Sequence, residues 1–474
     1  MAGLAKRGAL RAAMAAVAAG FVSTAPGALA QGATDYPIAS SAREVYSPIA
    51  EGFRVPMTPL EGLKGPERWV DTREGLLRER WGARLRDAPA FFRDTDLRFN
   101  SRTYLFNEEQ FGFNEPAALT SGGALVYQSG YVGDFFQLRG ALYTSQPIYA
   151  NAYAGDTQNL TPDGDQITVL GQAAGKLTFA GQELTAGRQL VRTPYVNPYD
   201  VRMIPLTFEG VVLVPEDQQQ GFDYIASYLT RYKPRDTDQF SSFSEGLGID
   251  DDEGMWIGGA SYSGGGLNLG FSNYFISNAL NTAYGEVDYL LAVSAARDGP
   301  SLRAGINYLD QRTVGENLIA GAPYDTYQAS ARIVGSYGGL VAGVSVSQTG
   351  DAADIQKPFG FSSSYTAMIV TNFEQASVRA FLIQGSYDLE RVGLDGVKFH
   401  AAWGRGYGED LAANGGFASQ QELDLRLAYE PHHAQLQGLR VEVEYIDWKV
   451  FDLDYPSDDL SQFRAIVNYS VPLL

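Results

Sequence analysis

Residues Leu439–Val450 read LRVEVEYIDWKV, and their side chains alternate in kind: Val441, Val443 and Tyr445 stand on one parity, Arg440, Glu442 and Glu444 on the other. Such alternation marks a strand with two unlike faces. In a half-buried sheet of a water-soluble protein the apolar face meets a core and the polar face meets water. In a membrane-spanning barrel the solvation is inverted, with apolar side chains against lipid and charged ones around a wet lumen. The choice between the two rests on the remainder of the chain.

From about Asp96 onward, period-two runs recur at about ten residues each, the length a tilted strand needs to cross a bilayer. LRFNSRTYLF (Leu97–Phe106) sets Arg98, Asn100 and Arg102 against Leu97, Phe99 and Leu105. FQLRGALY sets Gln137 and Arg139 against Phe136, Leu138 and Leu142, and SLRAGINYL sets Arg303 and Asn307 against Leu302, Ala304 and Ile306. ELDLRLAY and FRAIVNYSV repeat the pattern with Asp424, Arg426, Arg464 and Asn468 on the polar side.

Eighteen such runs begin near residues 97, 123, 135, 167, 182, 208, 222, 255, 267, 284, 301, 326, 340, 377, 397, 421, 439 and 461. Long links follow odd-numbered runs, at 107–122, 146–165, 191–207, 233–254 and 348–376, and short ones follow even-numbered runs, such as Ser263–Gly266, Gly338–Gly339 and Glu430–Gly438. A soluble sandwich has no reason to gather its long loops at one end. An outer-membrane barrel does so, with short periplasmic turns and long extracellular loops. No repeat of 40–50 residues is present, so a β-propeller is excluded.

The first residues agree with export: Lys6, Arg7 and Arg11 precede the apolar run AAMAAVAAGFV, and Ala28–Ala30 offers an A-x-A cleavage site. Residues 1–30 read as a signal peptide. No later stretch is apolar over about twenty residues, so membrane residence must come from strands. Removing the three cations of the leader takes the formal charge from −19 to −22, which disfavours nucleic acid as a partner. Cysteine is absent, which excludes disulfides and thiol chemistry. The three histidines, His400, His432 and His433, argue against a histidine-rich metal centre, and neither a metal nor an organic cofactor is expected. With 28 tyrosines and 25 phenylalanines the chain is well supplied for interfacial belts.

Residues 31–94 form a separate N-terminal extension without barrel periodicity, whereas 95–474 form the barrel. Leu77, Trp81 and Leu85 recur at helical spacing after Asp71 and Thr72, which predicts a short amphipathic helix. The extension is read as a periplasmic segment or as a plug of the lumen.

The most specific segment is YDVRMIPLTFEGV, Tyr199–Val211. It resembles the loop-to-strand signature of the OprD family of outer-membrane channels: Asp, one residue, Arg, two apolar residues, Pro, one residue, then Thr-Phe-Glu-Gly. DLRFNSRTYLFN is similar to that family's first strand, LIQGSYDLERVGLDGVKFHAAWGRG to a strand pair joined by a glycine turn, and FRAIVNYSVPLL to its closing strand. The resemblance spans about Ala88–Leu474. It implies a monomeric all-β transmembrane antiparallel barrel of about 18 strands with inward-folded extracellular loops. It implies residence in a Gram-negative outer membrane, among lipid and lipopolysaccharide, after insertion by the barrel assembly machinery. It also implies passive uptake of small water-soluble solutes, often carboxylates, past basic lumenal side chains.

Carried over by position, Asp200, Arg202, Pro205 and Glu209 match the constricting-loop motif. Lumenal parity collects Arg98, Arg102, Arg139, Lys176, Arg303, Arg332, Arg426, Arg440 and Arg464 along the solute path, joined by the acidic pair Glu286 and Asp288. The sequence departs from the family pattern at Glu442 and Glu444, where basic residues are often found, and at Ala402, where a ladder arginine is expected. A row of arginines lowers the barrier to an anion, and guanidinium pairs bidentately with carboxylates.

The expected function is therefore a porin for small polar solutes, amino acids or small carboxylate-containing metabolites, through a charged constriction, and not an enzyme. Two alternatives stand beside it. A barrel enzyme could use His400, which shares lumenal parity with Lys398, although no Gly-x-Ser-x-Gly context accompanies it. A structural or adhesin barrel would follow if residues 31–93 blocked the lumen. His432 and His433 fall in a predicted periplasmic turn, where solvation is the plain expectation. TPDGDQ and GIDDDEG resemble fragments of calcium loops but lack the later glutamate.

Overall fold

The structure is a computed structural model and describes Trp81 and residues 84–474 apart from 111–113, 217–220, 293–298, 318, 320–322, 324, 409–418, 434–435 and 452–458, together with Val45–Tyr46. Eighteen strands form one closed antiparallel barrel. The first six are β1 (Asp96–Gln110), β2 (Ala117–Gln128), β3 (Phe136–Ala150), β4 (Ile167–Phe179), β5 (Gln182–Gln189) and β6 (Thr207–Pro215). The next six are β7 (Gly221–Lys233), β8 (Met255–Gly264), β9 (Leu267–Ile276), β10 (Leu280–Ala292), β11 (Ser301–Thr313) and β12 (Asp325–Tyr337). The last are β13 (Leu340–Thr349), β14 (Arg379–Asp388), β15 (Val397–Tyr407), β16 (Ser419–Tyr429), β17 (Leu439–Phe451) and β18 (Leu460–Pro472).

Each strand pairs with its neighbour in sequence, and β1 closes the ring on β18 from Arg98↔Pro472 to Gln110↔Leu460. Closure leaves no edge whose N–H and C=O groups would lie unpaired in hydrocarbon. Tight approach between strands is bought at particular glycines: at Gly123, with φ of 126°, a Cβ would sit 2.0 Å from the Asn100 carbonyl oxygen across the β1–β2 ladder.

The two faces sort as the alternation requires. Glu442 and Glu444 are fully buried toward the lumen, whereas Val443 and Tyr445 are 36% and 43% exposed on the outer surface. Phe99, Leu302, Ile306, Val344 and Ile383 belong to the same apolar exterior, and Asn100, Arg102, Gln137 and Asn307 to the interior. No helix among the described residues is long and apolar enough to cross a membrane, as befits a chain that crosses with strands.

Two boundaries differ from the sequence reading. β2 begins at Ala117 rather than near 123, because the small residues of Thr120–Gly123 hide its alternation, so the expected long link at 107–122 shrinks to 111–116. β10 begins at Leu280, which leaves β9 and β10 joined by only 277–279, an exception to the long links after odd strands. Connections 151–166, 190–206, 234–254 and 350–378 are long as expected.

Those long loops turn inward because they carry apolar surface. Val191, Tyr195 and Val196 of one loop, Phe243 of the next and Phe359 of another share one buried cluster with Tyr274, Ile276, Tyr284 and Leu309 from the inner faces of β9, β10 and β11. Tyr195 and Phe243 both pack their rings on Phe359. Hydrophobic burial thus closes much of the bore.

Residues 1–30, read above as a signal peptide, and most of 31–80 lie outside the described residues. Of the helix expected around Leu77–Leu85, Trp81 and residues 84–86 are helical, and a single further turn follows at Ala90–Arg93. Val45–Tyr46 runs parallel to Val191–Arg192 of the 190–206 loop. Val443→Arg, which sets a cation against hydrocarbon near the middle of β17, should lower the unfolding free energy by about 2–4 kcal/mol. Urea titration of the barrel in liposomes checks this; an unchanged midpoint would mean that this face does not meet lipid.

Candidate functional site

The loop 190–206 reaches into the barrel because its sequence leaves it no other place: Leu190, Val191, Val196, Met203, Ile204 and Leu206 are all buried. Leu206 N–H donates to the Pro198 carbonyl at 2.7 Å, and Tyr199 adopts a left-handed backbone with φ of 42°, which folds the loop tightly on itself. The Tyr104 hydroxyl of β1 donates to the Val201 carbonyl at 3.2 Å. Lys233, fully buried at the end of β7, donates to the Pro205 carbonyl at 3.1 Å. On another side, Asn197 exchanges hydrogen bonds with Phe361 of the 350–378 loop at 2.9 and 3.3 Å.

Arg102 is the main anchor. Its Nη1 meets Asp200 Oδ1 at 2.8 Å and also donates to the Arg202 carbonyl, while its Nε donates to Asn468 Oδ1 of β18 at 2.8 Å. Asp200 and Pro205 therefore hold the loop against the wall rather than line a free passage. Glu209 takes a different place from the one the motif suggests. It lies in β6 on the outward parity and pairs with Arg188 at 2.9 Å, since the strand has already begun at Thr207.

The other cations of the sequence reading do point into the lumen, and nearly all face carboxylates there. Arg98 pairs with Asp96 at 2.7 Å, Lys176 with Glu183 at 2.9 Å, and Arg303 and Arg332 share Asp288 at 3.1 and 3.3 Å. Arg426 and Arg464 share Glu444 at 2.7 and 3.5 Å, and Arg440 pairs with Glu442. Arg139 donates to Gln137 at 3.3 Å. Glu442 and Glu444 thus neutralise the arginines of β16, β17 and β18, so the basic ladder implied by the family resemblance, which those two glutamates already interrupt in the sequence, is compensated along that wall. A buried cation needs such a partner, because desolvation of an unpaired charge costs several kcal/mol.

Arg202 is the exception. Among the described residues no carboxylate oxygen lies within ion-pair distance of its guanidinium, which is 8% exposed. Its Nη1 donates to the Val201 carbonyl at 3.2 Å, its Nε is buried without a partner, and its plane lies over Phe106 at 5.1 Å. Arg464 stands over the same ring at 5.5 Å. Burial pulls the Arg202 guanidinium down to about 10, and Arg464 adds to that effect.

Arg235, from the 234–254 loop, completes the cationic cluster. It lies 4.0 Å from the centre of the Tyr199 ring and donates to Gln158 of the 151–166 loop. Burial pushes the Tyr199 phenol up, but Arg235 and Arg202 outweigh it and leave the group below its ordinary value. Three loops, β1 and β18 therefore bring Arg202, Arg235 and Arg464 together against the rings of Phe106 and Tyr199. Arg235, Tyr199 and Phe106 went unnoticed in the sequence. Phe106 shares the parity of Arg102 and Tyr104 and could have been found, whereas Arg235 lies past the end of β7, where no periodicity applies.

The acidic pair on the far wall has a different task. Glu286 accepts from the hydroxyls of Tyr284, at 2.6 Å, and of Tyr365 from the 350–378 loop, and Arg332 lies 4.2 Å from the centre of the Tyr365 ring. Glu422 accepts the backbone N–H of Val370 and of Thr371, each at 2.7 Å. Ala402 packs with Met368 and Phe373, so an arginine there would have no room while this loop is docked. His400 stands across the β15–β16 ladder from Arg426.

Because the charged Arg202 is disfavoured in the fold relative to the unfolded chain, Arg202→Met should raise the unfolding free energy at pH 7 by about 1–3 kcal/mol. The penalty belongs to the charged form, so it persists across the neutral range. Urea unfolding of both proteins at pH 7 measures the effect.

Residues 89–473 match the profile of the outer membrane porins of the OprD family. No curated sequence matches the chain. Among solved structures, Pseudomonas aeruginosa OpdK with vanillate superposes with a TM-score of 0.71 at 20% identity, over 81% of this chain and 100% of that one. Acinetobacter baumannii OccAB3 gives 0.71 at 16% identity, over 80% and 99%, and Pseudomonas aeruginosa OccK9 (OpdG) gives 0.71 at 19%, over 81% and 100%. A closed barrel of this strand number, with loops folded into its bore and a profile match from its first strand to its last, is one of the OprD family of outer membrane porins, and the chain belongs to that family.

Proposed function

We propose that the channel admits small solutes bearing a carboxylate, amino acids or organic acids, and that Arg202 and Arg235 form the step at which they are recognised. The observation that carries this reading is the contrast in charge balance. Most arginines of the wall have a carboxylate at ion-pair distance, whereas Arg202 at the constricting loop has none among the described residues.

An anion arriving there supplies the missing counter-charge. It is met by a guanidinium whose planar fork suits a carboxylate bidentately, and by a second cation over Tyr199. Low-dielectric surroundings strengthen that attraction, so one or two cations can govern the barrier. Compensation of the remaining ladder keeps the binding weak, as a conductor requires, because a solute must leave as readily as it arrives. Tyr199, partly exposed beside Arg235, adds flat apolar contact for the carbon skeleton of the solute. OpdK, of the same fold, was solved with vanillate, a carboxylate, which accords with this class of solute.

The contribution of each part can be separated in planar bilayers. The wild type should show anion preference in the reversal potential under a salt gradient. Arg202→Met with Arg235→Gln should shift the potential toward cations and cut carboxylate flux by about tenfold, the loss expected for one charge-assisted contact. An unshifted potential in the double variant would dismiss this cluster as the selecting step.

A further inference from the structure

We propose that Glu390, Asp395 and His432 form a divalent-metal site of the zinc class that ties together two turns at the short-turn end of the barrel. Glu390 and Asp395 come from the connection 389–396 between β14 and β15, and His432 from the connection 430–438 between β16 and β17. One ligand atom from each lies within 4.8 Å of the others, and His432 Nδ1 is 2.8 Å from Asp395 Oδ1. Around zinc, at bonds of about 2.0–2.2 Å, tetrahedral ligands stand about 3.4 Å apart, so a small inward movement of exposed side chains would complete the set.

The backbone holds these groups in place. The Asp388 carboxylate accepts from Glu390 N–H at 3.2 Å and starts a short 3-10 turn, Leu389–Val392, which Gly393 N–H closes on the Glu390 carbonyl at 3.0 Å. The second turn is docked on the first: Glu430 N–H donates to the Gly396 carbonyl at 2.8 Å. A Cβ at Gly396 would lie 2.2 Å from the Glu430 oxygen, and the residue has φ of 70°, so only glycine permits the contact that brings His432 to Asp395.

Charge points the same way. Among the described residues neither Glu390 nor Asp395 pairs with a lysine or arginine, and the neighbouring Arg391 lies instead against Gly339 of another turn. Two carboxylates and one imidazole suit zinc or a similar transition ion, with water in the open position. Calcium asks for six to eight oxygen ligands and is a poor match. A bound ion would cross-link β14–β15 to β16–β17 at the face that meets the periplasm in barrels of this type. The site lies at the opposite end of the strands from the long loops and plays no part in the cationic constriction.

Isothermal titration of the folded, tag-free barrel in detergent with zinc chloride tests the proposal. One ion per chain is expected, with affinity lowered at least about tenfold in His432→Ala and in Asp395→Asn, and kept in His433→Ala. Zinc should raise the melting temperature of the wild type and of His433→Ala, but not of His432→Ala. Absence of zinc binding to the wild type, equal loss in His433→Ala, or calcium binding in place of zinc would overturn it.

Discussion

The main constraint on this molecule is that hydrocarbon offers no hydrogen bonds. Every amide that crosses the bilayer must find its partner within the protein, and the eighteen strands meet this demand only because β1 pairs with β18 along nearly its whole length. Once the ring is closed, each strand has one face in lipid and one in the bore. The faces can then differ completely in chemistry, which is why Val443 and Glu442 can be neighbours in sequence.

Closure creates a second demand on the inside. Eighteen strands enclose a bore wide enough for water, and the long loops fill much of it with apolar side chains. Lumenal charges that would be solvated in an open pore become buried under those loops, so they must be compensated. Asp288 serving both Arg303 and Arg332, and Glu444 serving both Arg426 and Arg464, are that compensation. The same loops are fastened by charged groups of the wall: Arg102 holds Asp200, Lys233 caps Pro205, and Glu422 holds Val370 and Thr371. Much of the lumenal charge is thus structural.

Against this compensated interior Arg202 is informative as a functional candidate because it is costly. A guanidinium with no carboxylate at ion-pair distance among the described residues, next to Arg464 and stacked on Phe106, is an arrangement that folding alone would not favour. A passing anion would repay that cost for a moment. Most of the arginines that share lumenal parity are, by contrast, already matched by carboxylates.

Strand number and the sorting of faces were legible in the sequence, because period-two alternation is a local property written into consecutive residues, whereas the closing strand was indicated by the family resemblance. Where alternation was diluted by small residues, as at Thr120–Gly123, the boundary slipped, and the 277–279 connection broke the pattern of loop lengths. Tertiary structure alone decided which charges remain available. Whether Arg202 meets a carboxylate, whether Glu209 faces the lumen, and whether Arg235 joins Tyr199 depend on loops that double back across the bore. Ion pairing is a matter of separation in space, and residues such as Arg102 and Asp200 become partners only when the barrel has closed and the loop has entered it.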